Sequence, residues 1–566
     1  MEPTSFAELA HLGQQLGQTT KRDVKTALLA SFLRQLAPEE IPPAVRFIIG
    51  RVFFEWEDRA LNLSWRAMMA AIDELVEASP ALRDGIGAKA VDGGEFVELL
   101  LARFRREPPC PPPLSILDVS LAFGEIAASS GPGSRTRKQA RFQHMLERAD
   151  AVEAKTLVRI VAGEMRHGVS EGLMVPGIAK GAGVKVGLVR RANQLWGDIS
   201  EVALVALTEG EAGLRKATVR LFRPIQPMLA QSASDLTEVF ERFEHGLALE
   251  YKLDGARVQI HRRGDEVRLY SRNLADVTTS LPDTVSEILG SAAAQEFIAD
   301  GEVIAVDGEG RPLPFQHLMR RFRRKHDVDT TVAEIRVQLH LFDLLYVNGE
   351  SLVDAPYRKR WPALVAATEG LNLVQRTLPE TVEEAEQFGD EARRSGHEGL
   401  MAKVLSSKYT PGVRGKTWLK LKHIMSVDLV ITAADWGYGR RHGWLSNYHL
   451  AALDTETGAY EVVGKTFKGL TDAQFQSVTD RLLSLERSRQ RNTIFVEPRV
   501  VVEVQFNEIQ ESRRYRSGLA LRFARISSLR PDKAPAQADT LQMLRQLYHR
   551  QFRYKGTLDA SQNRLT

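Results

Sequence analysis

The 566-residue chain contains a single cysteine, Cys110. One thiol builds neither a disulfide framework, nor a cysteine-rich zinc site, nor an iron–sulfur cluster. Long apolar runs are missing as well. No segment approaches the ~20 residues of a membrane span, and Met1-Glu2-Pro3-Thr4 starts neither a basic nor an apolar leader. Charge of one sign is not in excess: 76 Lys and Arg stand against 72 Asp and Glu, a net of +4, so any basic surface must be local. No repeat of solenoid period is present. What remains is a water-soluble chain of a reducing compartment, with 43% hydrophobic and 26% charged residues, a balance that excludes wholesale disorder. One hydrophobic core stops growing near ~250–300 residues, so two to four domains are expected.

Apolar residues recur at helical spacing through the first two hundred positions, as in Leu28, Leu29, Phe32, Leu33 and Leu36, and in Phe96, Leu99, Leu100 and Phe104. The run Pro108–Pro113 predicts a stiff extended crossing, with Cys110 a spacer in it. Beyond Arg223-Pro224-Ile225-Gln226-Pro227 the texture turns to short strands: Ala256–His261, Val267–Ser271, Phe297–Ala299, Val303–Val306, Leu339–Tyr346, Gly399–Val404 and Trp418–Lys422. A helix over Val382–Arg394 makes this an α+β domain. From Ser426, strands at Leu429–Ala433, Tyr448–Leu453, Tyr460–Val463 and Val500–Phe506 with a helix over Asp472–Glu486 predict a small Greek-key barrel of the OB kind. Leu541, Leu544, Leu547, Tyr548 and Phe552 stripe a terminal helix that docks on it. The expected architecture is multidomain: an all-α unit (1–222), an α+β unit (223–425) and a β-barrel with a C-terminal helix (426–566).

The chemistry concentrates in a few places. Lys252, in Glu250-Tyr251-Lys252-Leu253-Asp254-Gly255-Ala256-Arg257, sits where a strand turns into the next. A nucleophilic lysine needs neighbours that disfavour its proton, and Arg257 with the lysines of Arg414-Gly415-Lys416-Thr417-Trp418-Leu419-Lys420-Leu421-Lys422 is expected to supply that like-charge pressure. Alternation buries Leu419 and Leu421 and turns Lys420 and Lys422 to the other face, a cationic strand suited to polyphosphate. Glu302, in Asp300-Gly301-Glu302 ahead of an apolar strand, and Glu398 suit a hard divalent cation. The basic run Arg320–Lys325 reads as a solvated helix face or a nucleic-acid contact.

Taken in order, Lys252-x-Asp254-Gly255-x-Arg257, Ser271-Arg272-Asn273, Asp300-Gly301-Glu302, Phe342-Asp343, Glu398–Lys403 and Trp418-x-Lys420-x-Lys422 resemble the covalent nucleotidyltransferases, which comprise DNA ligases, RNA ligases and capping enzymes. Lys155–Ile160 and Glu164–Gly172 resemble the helical DNA-binding domain of archaeal and eukaryotic-type ATP-dependent DNA ligases. Glu508-Ile509-Gln510, Leu521–Arg525 and Arg530–Lys533 are similar to that family's C-terminal motif, although Ser528 and Pro531 replace an arginine and an acid common there. The resemblance implies ATP as substrate and nicked duplex DNA as partner, with a lysine–AMP intermediate on Lys252. It places Glu250 at the adenine amine and Phe342 on the base. Arg257 and Arg272 would face ribose and phosphate, and Glu302 the ribose or the metal. Arg414 and Lys420 would meet phosphate, supported by Lys422, Arg530 and Lys533, and Mg²⁺ or Mn²⁺ would lie on Glu302 and Glu398. It also implies a monomer without membrane attachment, cytoplasmic or nucleoid-associated in a prokaryote, acting in replication, repair or recombination. The long helical region sets the chain apart from compact RNA ligases and guanylyltransferases. The single cysteine excludes the four-cysteine zinc module of NAD-dependent ligases.

Overall fold

The computed structural model describes residues 3–57, 59–233, 235–243, 246–322, 334–422, 425–551 and 553–556. Helices follow one another from Phe6–Gly17 to Gly210–Leu214 and share one core, with Phe6, Leu29, Phe47, Phe123, Phe142 and Leu157 fully or almost fully buried. Their starts are encoded locally. Asp150 and Glu153 form a reciprocal capping box at the head of Ala151–Ala162, and Ser115 with Asp118 does the same for Ile116–Ala128. Pro108–Pro113 is non-helical, as the sequence predicts, and Cys110 within it is exposed. Among the described residues no helix is long and apolar enough to cross a membrane.

Two five-stranded sheets follow. The first carries β1 (Leu229–Ala233), β2 (Leu247–Lys252), β8 (Arg376–Thr377), β9 (Gly399–Val404) and β10 (Arg414–Lys422) in the order β1-β10-β9-β2-β8. The second carries β3 (Ala256–Arg263), β4 (Glu266–Ser271), β5 (Glu296–Val306), β6 (Arg336–Val347) and β7 (Glu350–Ser351) in the order β4-β3-β5-β6-β7. Consecutive strands β2 and β3 belong to different sheets, so the turn Leu253–Gly255 bridges the two. Asp300-Gly301-Glu302, expected ahead of a strand, lies inside β5. Gly301 lets β5 continue: its register with β6 slips between Asp300 and Gly301, and a Cβ there would stand 3.0 Å from the His340 carbonyl.

The C-terminal unit is an antiparallel sheet, curved into a half-barrel of the expected OB kind. Strands β11 (Met425–Trp436), β12 (Leu445–Leu453), β13 (Tyr460–Thr466), β14 (Glu486–Gln490) and β15 (Thr493–Phe506) run in the order β13-β12-β11-β15-β14, and β18 (Arg525–Leu529) joins β15. A hairpin of β16 (Glu508–Glu511) and β17 (Leu519–Arg522) stands beside it. The helix expected to reach Glu486 ends at Leu483, and Glu486 opens β14 instead. Leu541 and Leu544 of the terminal helix are buried in the barrel core, with Leu547 and Tyr548 packed against it; Phe552 lies outside the described residues.

Candidate active site

A cavity of about 830 Å³ opens between the two middle sheets, and the barrel contributes Arg522, Phe523 and Arg525 to its wall. Lys252 ends β2 at its edge. The ammonium lies 2.5 Å from Glu398 Oε2, and both side chains keep 20% exposure. Burial disfavours the charged amine, but Glu398, Glu302 and Asp254 outweigh it and move the Lys252 pKa upward. This corrects the sequence reading, in which Arg257 and the β10 lysines press the proton off. Carboxylates surround the lysine, so at rest it stays protonated. Glu302 shows the other side of the same crowding: burial pushes its carboxyl up to about 7, with Glu398 and Asp254 adding to the rise against the pull of Lys252 and Arg257. Gly255 makes the approach of β3 to β5 possible, since a Cβ there would meet the Val303 carbonyl at 2.3 Å and Glu302 Cγ at 2.8 Å.

The far wall is aromatic and cationic. Phe342 meets Trp418 edge to face, with ring centroids 6.2 Å apart. The Arg257 guanidinium sits 5.3 Å from the Phe342 centroid, but its amino groups are occupied: one donates to the Met228 carbonyl, the other to Asp300 and to Tyr409 Oη. Nε alone is buried without an acceptor among the described residues. Arg257 is therefore fixed from behind by a buried Asp300–Tyr409 pair, and the ribose-side role expected of it narrows to Nε. Glu250, 2% exposed, receives Lys403 Nζ at 2.7 Å and the Tyr357 hydroxyl. Burial drives its carboxyl up, while Lys403 and Tyr357 pull the other way. Arg272, Arg414 and Lys420 all line the cavity, as expected. The side chain of Lys422 lies outside the described residues.

Other expectations change. Arg530 and Lys533 do not line the cavity. Arg530 Nη1 binds both Asp428 oxygens at 3.1 Å, and Lys533 pairs with the same carboxylate. The barrel residues that line the cavity are Gln505, Phe506, Asn507, Arg522, Phe523 and Arg525; Phe523 takes φ 59° and is 59% exposed. In the basic run, Arg321 is neither solvated nor free for DNA: it is buried and bonded to Asp283 and to the Ser280 and Ile335 carbonyls, whereas 323–325 lie outside the described residues. Lys403, Tyr357, Asp300 and Tyr409 carried no assigned role in the sequence. Lys403 has a signal: alternation along β9 turns Met401 and Lys403 to the cavity together. Tyr357, 107 residues from Glu250, has none.

Comparison with known proteins settles the family. A model of the ATP dependent DNA ligase domain matches residues 227–422, one of the DNA ligase N terminus matches 5–179, and one of the ATP dependent DNA ligase C terminal region matches 441–533. DNA ligase 1 of Korarchaeum cryptofilum is 42% identical over 549 residues, 96% of this chain and 98% of its own. The chain belongs to the ATP-dependent DNA ligases. A DNA ligase of Thermococcus onnurineus is 40% identical, over 98% of this ligase and all of its own length. A solved structure named "Pmar-Lig_PreS3" covers 92% of this ligase and 99% of its own chain at 18% identity and a TM-score of 0.51, and so shares the fold. ATP and DNA are accordingly the substrates of this ligase.

Proposed function

We propose that the ligase seals nicks in duplex DNA through a lysine–AMP intermediate on Lys252. The placement of Lys252 carries the reading: a half-buried amine on a sheet rim, in a cavity lined by Arg272, Arg414 and Lys420. Nζ gives up its proton to solvent and attacks the α-phosphate of ATP; a P–N bond forms, the α–β anhydride breaks and pyrophosphate departs. The adenylyl group then passes to the 5′-phosphate at a nick, breaking the P–N bond, and the 3′-hydroxyl displaces AMP. Glu250 accepts from the adenine amine and Phe342 stacks on the base. Arg257, through Nε, and Arg272 address ribose and phosphate. Arg414, Lys420 and Lys422 offset phosphate charge as it develops, which is where phosphoryl-transfer catalysis chiefly lies.

Mg²⁺, or Mn²⁺, fits Glu302 and Glu398. Among the described residues no three His, Cys, Asp or Glu side chains are set to hold an ion by themselves, and Mg²⁺ asks for only one or two carboxylates beside water and phosphate oxygens. A carboxyl raised as far as Glu302 gains from a nearby cation. When bound, the ion would offset charge on the phosphates. Arg530 and Lys533 are proposed as supporting cations for pyrophosphate, reached when the barrel turns about the Lys422–Ser426 joint and Asp428 releases them. Residues 1–222 would grip the duplex, 223–425 carry adenylylation and 426–566 form the mobile barrel of a monomer. Incubation with ATP labelled in the α-phosphate tests the reading: wild type should take up covalent label and Lys252→Ala none.

A further inference from the structure

We propose that Lys403 is the positioning residue for nucleobase choice, because it fixes at once the carboxylate and the aromatic ring that meet the base. The inference rests on the reading in which Glu250 and Phe342 face adenine. Lys403 lies on β9 and is 1% exposed. Its ammonium stands 2.7 Å from Glu250 Oε2 and donates to the Phe342 carbonyl at 2.8 Å. It also lies 4.7 Å from the Phe342 ring centroid, 4.8 Å from that of Tyr357 and 4.4 Å from that of Trp418. One cation thus ties the stacking ring, by backbone and by π face, to the hydrogen-bonding carboxylate. Tyr357 fixes the second oxygen by donating to Oε1.

A carboxylate offers about four lone-pair sites, and two are taken by Lys403 and Tyr357. Those remaining accept from a base that carries an amine at its six-position and repel one that carries a carbonyl there. This selectivity holds only while Glu250 is ionised. Burial pushes Glu250 toward its neutral form, and the adjacent Lys403 ammonium opposes it most strongly. Without that ammonium, a protonated Glu250 would donate where it now accepts, and a 6-oxo purine would become the better partner.

The test measures covalent nucleotide transfer to the full-length protein with ATP, inosine triphosphate and purine riboside triphosphate, which lacks the six-amine. Wild type should favour ATP over both, on the order of 10²-fold or more in kcat/KM. Lys403→Met should cut the preference for ATP over inosine triphosphate by about tenfold or more, through KM rather than kcat. Lys403→Arg should restore part of it. Wild type that treats ATP and purine riboside triphosphate alike overturns the base-facing reading and this inference with it. Wild type that discriminates, beside a Lys403→Met variant slowed equally on all three nucleotides, overturns the inference alone and leaves Lys403 a packing role. If Lys403→Met does not fold, Tyr357→Phe decides: a reduced ATP preference supports the positioning of Glu250, and an unchanged one overturns it.

Discussion

Lys252 is identifiable from its sequence neighbourhood, but its protonation is not. The motif marks the amine proposed as the nucleophile, whereas two of the three carboxylates that hold its proton come from β5 and from the residue before β9, 50 and 146 positions away along the chain. Lys252→Ala should abolish labelling with ATP and leave the fold intact, since the side chain projects from a strand end and not from a core stripe. Sealing of an already adenylylated nick should survive far better; equal loss in both assays would assign the lysine to DNA binding. A second residue reports on stability. His261 is fully buried, its Nδ1 accepts from the Phe222 amide, and burial lowers its pKa to about 3. The unfolded chain titrates near 6.5 and so binds the proton first. Between pH 6.5 and 3 stability therefore falls as pH falls, by about 1.4 kcal/mol per unit from this group. Denaturant titrations across that range should show His261→Gln with a slope shallower by that amount.

At the level of elements, helical apolar spacing, strand alternation and the barrel's strand–helix content were legible because each is a local signal. Buried Leu419 and Leu421 beside cavity-lining Lys420 show the same. The continuity of β5 was not legible. Asp300-Gly301-Glu302 has the composition of a turn, and only pairing with β3 and β6 on both sides keeps it extended. The β2–β3 turn gives a sharp test. Gly255→Ala inserts a methyl group against backbone that cannot yield, at a cost of roughly 1–3 kcal/mol, and pushes the turn away from Glu302. Labelling should drop severely while the melting temperature falls by about 2–10 °C; unchanged labelling would mean that the Lys252–Glu302 spacing is not critical. The turn after β18 offers another. If Arg530 and Lys533 leave Asp428 to support pyrophosphate, Arg530→Ala should slow labelling yet spare sealing of an adenylylated nick. Equal losses, with a lowered melting temperature, would confine Arg530 to its pairing with Asp428.

For the whole molecule, composition indicated several domains but not how they join. Leu195 and Val219, from the helical side, share a buried cluster with Ile225, Met228, Leu253, Phe342 and Trp418. No periodicity marks such a seam, because its members come from distant stretches of chain. A fragment that begins at Lys216 should therefore label well and bind nicked duplex weakly. One beginning at Ile225 loses Val219 and should label poorly as well. Binding by the full chain should weaken linearly in log affinity against log salt, as phosphate contacts release counterions; a fragment from Lys216 that held DNA as tightly as the full chain would remove the helical unit from the grip. The shared cluster also has a thermodynamic corollary. The ring proposed to stack on the base and the helical unit proposed to hold the duplex lean on one apolar wall, so the two binding events are linked through it. Whatever factor bound nucleotide imposes on the affinity for DNA, DNA must impose on the affinity for nucleotide. Measured in either direction, the coupling should be one number, and a cavity cut into that wall by Val219→Ala should shrink it from both ends at once.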